Sequence, residues 1–115
     1  QGVVRQVSVS DALVEYVTSL VRATRPAEAG IDWVQRYLRW GAGPRAGQAL
    51  ILCSKARAVL QGRFAVTVED LHAVAPAALR HRLLLNFQAE ADGVSTDDVV
   101  TKALEALPGP ERQLG

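Results

Sequence analysis

Residues 41–64 read GAGPRAGQALILCSKARAVLQGRF, and this stretch decides the fold. Pro44 follows a Gly-Ala-Gly break and suits the first turn of a helix, where its missing N–H costs no hydrogen bond. Gly62 is a natural C-terminal stop for that helix. The predicted apolar face is made mostly of small residues and carries Ala46, Ala49, Leu50, Cys53, Ala56 and Leu60. Such a face predicts a central helix in close contact with its neighbours, with Cys53 as a small buried hydrophobic residue.

A first helix is predicted upstream of this stretch. Ser10 is a good N-cap. Apolar residues then recur at helical spacing, namely Leu13, Tyr16, Val17, Leu20 and Val21. Pro26 disfavours helical geometry at the residue before it, so this helix should end near Thr24.

The segment between these two helices has two interpretations. Asp32 could cap a short helix that buries Trp33, Val34, Tyr37 and Leu38, or the segment could be partly extended. Trp33 and Trp40 are expected to pack in the core, because aromatic residues at helical spacing usually do.

Two capping boxes mark helix starts in the second half of the chain. Thr67 with Asp70, and Ser95 with Asp98, place a hydroxyl residue three positions before an acidic one. The first box opens a short helix, and Pro76 is expected to begin a separate turn after it. The second box opens the last helix.

The whole pattern predicts an all-α fold, a compact bundle of five or six short helices. Residues 10–107 form this bundle, residues 1–9 are an extended lead-in, and residues 108–115 are expected to be a mobile tail. Residues 83–87 are ambiguous between helix and strand. The chain begins without Met, in the middle of a pattern, which indicates an excised fragment.

Composition narrows the class of protein. The net charge of the 115 residues is +1, which gives little general attraction to nucleic acid or to an anionic membrane. No apolar run reaches the roughly 20 residues of a membrane span, and no signal peptide is visible. Cys53 is the only cysteine, so no intramolecular disulfide is possible. Cytoplasmic localisation is the default expectation.

A complete active site is not expected in this chain. It has no GxxxxGK[ST] phosphate loop and no acidic pair after an apolar strand to hold magnesium. His72, His81 and Cys53 show no metal-ligand spacing. No Ser or Cys has an evident base beside it.

The segment that could take part in binding or catalysis is residues 40–46, WGAGPRA. It places Arg45 at the start of a helix, where free N–H groups and the helix dipole favour an anion and a guanidinium adds a planar fork of donors. This predicts a phosphate-contacting tip. The alternative is an ordinary surface arginine at a helix start.

Four elements together resemble the C-terminal lid domain of MoxR-type AAA+ ATPases. Residues 41–46 are similar to the sensor-2 motif, and residues 62–63, 66–71 and 79–82 follow in the family's order. The resemblance covers roughly residues 7–107. One departure is residues 27–40, which are longer than in many members of the family.

The resemblance implies a role for each part of the sensor-2 motif. Arg45 would be the catalytic sensor-2 arginine, reaching the γ-phosphate of ATP, with Gly43 and Pro44 setting the backbone of the nucleotide-binding tip. ATP and Mg²⁺ would be held mainly outside this chain, in an N-terminal ATPase core to which residues 1–9 are the linker. Neighbouring subunits of a ring and an unknown substrate protein would be its other partners, and the parent would be chaperone-like. No nucleic-acid partner is expected.

Three further arginines have open roles. Arg63 is expected to interact with the dipole at the helix C-terminus rather than to carry function. Arg80 and Arg82 flank His81 and could contact another domain or simply be solvated. The alternative function is a stand-alone helical protein-interaction or DNA-binding module, in which this basic cluster touches phosphates.

Overall fold

The computed structural model describes residues 7–25, 32–107 and 109. Within them the structure has six helices and a two-stranded ribbon. The elements in chain order are α1 (Asp11–Ala23), α2 (Asp32–Tyr37), β1 (Leu38–Trp40), α3 (Ala46–Leu60), α4 (Val68–Leu79), β2 (Leu84–Leu85), α5 (Phe87–Asp92) and α6 (Thr96–Ala106). The prediction of an all-α bundle of five or six short helices is confirmed.

Helix starts lie where the sequence predicts them. The Ser10 hydroxyl accepts from the Leu13 N–H at 3.2 Å and begins α1. Thr67 and Ser95 each form a complete capping box, at the starts of α4 and α6. These caps satisfy N–H groups that the helices themselves leave unpaired.

Helix α3 packs most extensively against α4 and also contacts α1. Its buried stripe repeats every four residues and consists of Ala46, Leu50, Ser54 and Ala58. The predicted face was partly wrong, because Cys53 is exposed and Leu60 is 83% exposed. Apolar residues lie all round this helix, so the pattern could not select the face. Ser54 is tolerated inside because its hydroxyl donates to the Leu50 carbonyl at 2.7 Å.

Helix α4 continues through Pro76 to Leu79 as one element, so the expected separate turn at Pro76 was wrong. Leu71, Ala75 and Leu79 are buried on both sides of the proline, and this packing offsets the hydrogen bond that proline cannot donate. The ambiguous residues 83–87 divide between β2 and the start of α5.

The segment from residue 32 to residue 40 is both helical and extended. After α2, strand β1 pairs antiparallel with β2, with Leu38 opposite Leu85 and Trp40 opposite Leu84. Because strand side chains alternate between faces, Leu38 is buried while Trp40 is 62% exposed. The prediction that Trp40 packs in the core was therefore wrong. The side chain of Trp33 lies outside the described residues.

The described end of the lead-in packs on the bundle. Val7 is buried, and Ser8 forms a parallel bridge with Ala65. Residues 1–6, 108 and 110–115 lie outside the described residues, so most of the predicted linker and tail stays a prediction. Within residues 7–25 and 32–107, no helix has the length and apolar character that a membrane crossing requires.

Candidate functional site

The turn between β1 and α3 carries the predicted site, and it is fixed to the end of α1. A Cβ on Gly41 would lie 2.3 Å from the Thr24 carbonyl oxygen and 2.4 Å from the Arg25 Cα, so only glycine fits there. The Arg25 Nε–H donates to the Ala42 carbonyl at 3.0 Å, and Ala42 is buried. The turn is therefore held by backbone packing on one side and by an arginine on the other.

Arg45 occupies the N-cap position of α3, one residue before the helix. Its backbone already has helical angles (φ −87°, ψ −4°), and its carbonyl accepts from the Ala49 N–H at 3.0 Å. Its side chain is exposed and makes no capping hydrogen bond. A guanidinium is thus presented at the positive end of a 15-residue helix.

The other predicted site residues, Gly43 and Pro44, precede Arg45 directly, and both are exposed. A Cβ on Gly43 would meet nothing within 4 Å. The Gly43 carbonyl accepts from the Ala46 N–H at 3.1 Å, which closes the turn onto α3. Space therefore surrounds Gly43, and the close-fitting glycine of this turn is Gly41.

A groove of about 250 Å³ lies beside this turn, between α1 and α3. Pro44 and Gly47 line it at the α3 side, and Arg22 and Arg25 line it at the α1 side. The turn that carries Arg45 is thus bordered by a groove to which α1 contributes two more arginines.

A second cluster of charged residues joins the end of α3 to the start of α4. Arg63 donates from both terminal nitrogens to the two oxygens of Asp70, each at 2.7 Å, and Arg57 donates to Asp70 at 2.6 Å. The Asp70 side chain is fully buried and also accepts from the Thr67 N–H at 2.8 Å. The paired Arg63 guanidinium, followed by the Thr67 and Arg57 hydrogen bonds, keeps the pKa of Asp70 well below its usual range despite burial.

This cluster corrects the interpretation of Arg63. It forms a bidentate ion pair with a buried carboxylate, which is a specific contact rather than a general dipole effect. Sequence reasoning missed Arg57 entirely. The capping box at Thr67 and Asp70 was predicted from the sequence. A capping aspartate keeps further acceptor sites on its carboxylate, and these were the available signal for a nearby arginine.

A polar contact joins the first helix to the end of the last helix. The Tyr16 hydroxyl donates to the Leu107 carbonyl and lies 2.8 Å from His72 Nε2. Since its one proton goes to Leu107, the His72 Nε2–H donates to the Tyr16 oxygen. Burial raises the pKa of Tyr16 to about 12 and lowers that of His72, so both are neutral at pH 7. The arrangement is structural, because it holds the end of α6 on α1.

Arg80 and Arg82 lie apart from the Arg45 turn along the chain. Arg80 donates to both oxygens of Asp97, each at 3.0 Å, and Arg82 donates to the Ala78 carbonyl at 2.8 Å. The Arg80 ion pair engages one of the residues that the DNA-binding alternative would need. Among the residues that the structure describes, no three of His, Cys, Asp or Glu lie close enough together to hold a metal ion.

Known proteins match most of this chain. Residues 32–103 match the family model of the AAA lid domain. The chaperone MoxR1 of Mycobacterium tuberculosis is 38% identical over 104 residues, which are 90% of this chain and 28% of that protein. Protein MoxR of Methylorubrum extorquens is 32% identical, over 90% of this chain and 32% of that protein.

A solved structure shares the fold. The crystal structure of a candidate ATPase from Cytophaga hutchinsonii matches with a TM-score of 0.88 and 36% sequence identity, over 96% of this chain and 34% of that one. The chain thus spans about a third of the length of these relatives. The family match runs from α2 into α6 and includes the Arg45 turn, so the chain belongs to the AAA lid domain family, and its relatives place it among the lids of MoxR-type AAA+ proteins.

Proposed function

We propose that this lid closes over ATP bound in the ATPase core of its protein and supplies Arg45 to the phosphates. One observation carries the proposal. Arg45 is exposed at the N-terminus of α3, on a turn that Gly41 and Arg25 fix to the end of α1. A loose surface arginine would need no such support.

The chemistry of this position fits a phosphate. The N-terminus of α3 offers partial positive charge, and the Arg45 guanidinium offers a planar set of donors that matches two phosphate oxygens. Gly43 and Pro44 are exposed beside it, and the open space around Gly43 leaves room for a bulky anion. Arg45 would stabilise negative charge on the phosphoryl oxygens and link the angle of the lid to the state of the nucleotide. ATP and Mg²⁺ would otherwise be held by the core.

The parent protein would use this ATPase cycle to remodel or mature a partner protein. Its relative MoxR1 is named a chaperone, which supports this role. In the same proposal, the lid also contributes to the interface between subunits of a ring.

The test is kinetic and uses the full-length parent. We expect Arg45→Ala to lower ATP turnover at least about tenfold while ATP binding weakens less, because the contact strengthens as charge redistributes in the transition state. Arg45→Lys should restore only part of the rate, since an ammonium keeps the charge but not the planar fork.

Arg39→Ala is the matched control, because Arg39 is also exposed and lies on β1 outside the turn. It should leave turnover within about twofold of wild type. If Arg45→Ala behaves like Arg39→Ala, Arg45 is not part of the ATPase site. If Arg45→Ala instead lowers the melting temperature of the 115-residue chain, its role is structural.

A further inference from the structure

The chain enters the lid along the loop between α3 and α4. The Ser8 N–H donates to the Phe64 carbonyl at 2.9 Å, and the Ser8 carbonyl accepts from the Val66 N–H at 3.0 Å. These two bonds form the parallel bridge between Ser8 and Ala65. We call this contact the Ser8 bridge. Val7, directly before it, is only 2% exposed, so the entering chain already packs on the lid at that residue.

Apolar packing does not fix the loop at the Ser8 bridge, because Phe64 is 70% exposed and Ala65 is exposed as well. The side chain of Arg63 holds it instead. Its Nη1 donates to the Asp70 carboxylate at 2.7 Å and to the Ala65 carbonyl at 3.2 Å, and its Nη2 donates to the second Asp70 oxygen at 2.7 Å. Because Asp70 is fully buried, this guanidinium has a fixed position. One side chain thus connects the interior of the bundle to the middle of the Ser8 bridge.

The other arginine of the Asp70 cluster lacks the contact with the loop. Arg57 also donates to Asp70, at 2.6 Å, and its side chain is 33% exposed, compared with 36% for Arg63. Among the described residues its side-chain hydrogen bond goes to Asp70 and not to the loop. The two arginines therefore share a partner and a degree of exposure, and they differ in the bond to Ala65.

We propose that Arg63 is a positioning residue. By bonding Asp70 and Ala65 at once, it holds the loop to which the entering chain is bridged, and it thereby sets the angle at which the lid meets the ATPase core. The last step rests on the proposed function, in which the core precedes the lid in the chain. The Ser8 bridge has two backbone hydrogen bonds, so it can open without unfolding the bundle. Loss of Arg63 should then let the lid take other orientations, in which Arg45 reaches the phosphates less often.

Amide hydrogen exchange of the 115-residue chain, followed by NMR at neutral pH, tests the hold on the entering chain. In the wild-type lid the amides of Ser8 and Val66 should be protected, but less than the amide of Leu20, a fully buried residue of α1. Arg63→Met should speed exchange at Ser8 and Val66 at least about tenfold more than at Leu20, because the bridge then opens on its own.

Arg57→Met is the matched control, because it removes an arginine from the same carboxylate and leaves the bond to Ala65 in place. It should change the exchange of the bridge relative to Leu20 by less than about twofold. The comparison with Leu20 removes the general loss of stability that both variants share. Arg63→Lys should restore part of the protection, since an ammonium keeps the charge but not the planar fork.

Kinetics of the full-length protein test the effect on the lid. Ser8→Pro removes the N–H that donates to Phe64 and leaves the Asp70 cluster intact, so it opens the bridge from the other side. Arg63→Met and Ser8→Pro should each lower kcat at least about threefold relative to Arg57→Met, with a smaller change in KM. The double variant should be no slower than the slower single variant, because both substitutions act on one contact.

The outcomes separate this proposal from the role of Arg45. Unprotected Ser8 and Val66 amides in the wild-type lid overturn the positioning role of Arg63, and so does equal opening of the bridge in Arg63→Met and Arg57→Met. Selective opening with kcat no lower than that of Arg57→Met overturns the link to the orientation of the lid. The exchange measurement involves neither ATP nor Arg45. Selective opening beside a kinetically silent Arg45→Ala variant therefore supports the hold on the entering chain, while the proposed function fails.

Discussion

The carbonyl oxygen of Thr24 lies 2.3 Å from the point where a side chain on Gly41 would begin. Both groups are backbone, and Thr24 is fully buried at the end of α1. The Thr24 carbonyl cannot therefore move aside without moving the end of α1. This contact sets the position of α1 relative to the turn that leads to Arg45.

Gly41→Ala should accordingly destabilise the lid by about 2 kcal/mol or more, because the added methyl group meets backbone atoms that cannot yield. Gly43→Ala is the control for stability, since its Cβ would lie in open space and its φ is not positive. It should change the free energy of unfolding by less than about 0.5 kcal/mol. Thermal and denaturant melts of the 115-residue chain measure both, and equal stability of the two variants would contradict the tight fit at Gly41.

The buried stripe of α3 gives a second matched pair. Leu50 is fully buried and Leu60 is 83% exposed on the same helix. Leu50→Asp should unfold the bundle, because an unpaired buried carboxylate costs several kcal/mol, comparable with the whole stability of a small domain, about 5 to 15 kcal/mol. Leu60→Asp should cost less than about 1 kcal/mol. Circular dichroism separates the two outcomes, and a folded Leu50→Asp variant would show that the buried face of α3 lies elsewhere.

The Asp70 cluster should make the lid sensitive to acid. The folded pKa of Asp70 is depressed, so the stability it provides is complete above its unfolded pKa, about 3.9, and is lost as the pH falls toward the folded value. The melting temperature of the wild-type lid should therefore decrease as the pH is lowered below about 4. Asp70→Asn should fall less steeply there, because the titrating group is gone.

At neutral pH, Asp70→Asn should cost about 2 to 4 kcal/mol, because Arg57 and Arg63 lose a buried partner. Asp97→Asn removes the partner of Arg80 at a site where both side chains are 47% exposed, and it should cost less than about 1 kcal/mol. Similar losses for the two variants would mean that the Asp70 cluster has no special role in stability.

The 115-residue chain should fold on its own, and it should not hydrolyse ATP. It lacks a phosphate loop and a magnesium-binding acid pair, and a helix-start arginine alone supplies neither a nucleophile position nor a metal. A coupled ATPase assay on the purified chain checks this. Magnesium-dependent turnover that persists through contaminant controls would contradict it.

Local signals predicted the helix starts because capping is a contact between neighbours in sequence. Ser10, Thr67 and Ser95 each bond to an N–H three residues on, and all three were identified from the residue types alone. The Arg45 turn was predicted for the same reason, since Pro44 and the two glycines before it act locally.

The errors concern contacts between residues distant in sequence. The exposed face of α3, which includes Cys53, depends on where α1 and α4 pack, and a helix with apolar residues on every side does not encode that choice. Trp40 is exposed because a short strand replaces a helical turn. Arg57 lies 13 residues from Asp70, and their ion pair forms only when α3 and α4 meet.

Because the Arg45 turn is attached to α1, Arg45 would move together with the lid when the lid rotates. Arg45 lies at one end of α3 and Leu60 at the other, about 22 Å apart at 1.5 Å per residue. A rigid rotation of about 5° around the Leu60 end would carry Arg45 through about 2 Å, while hydrogen bonds tolerate only a few tenths of an ångström. In the proposed function, a tilt of this size would therefore make or break the contact between Arg45 and the phosphates while the lid moves as a rigid body.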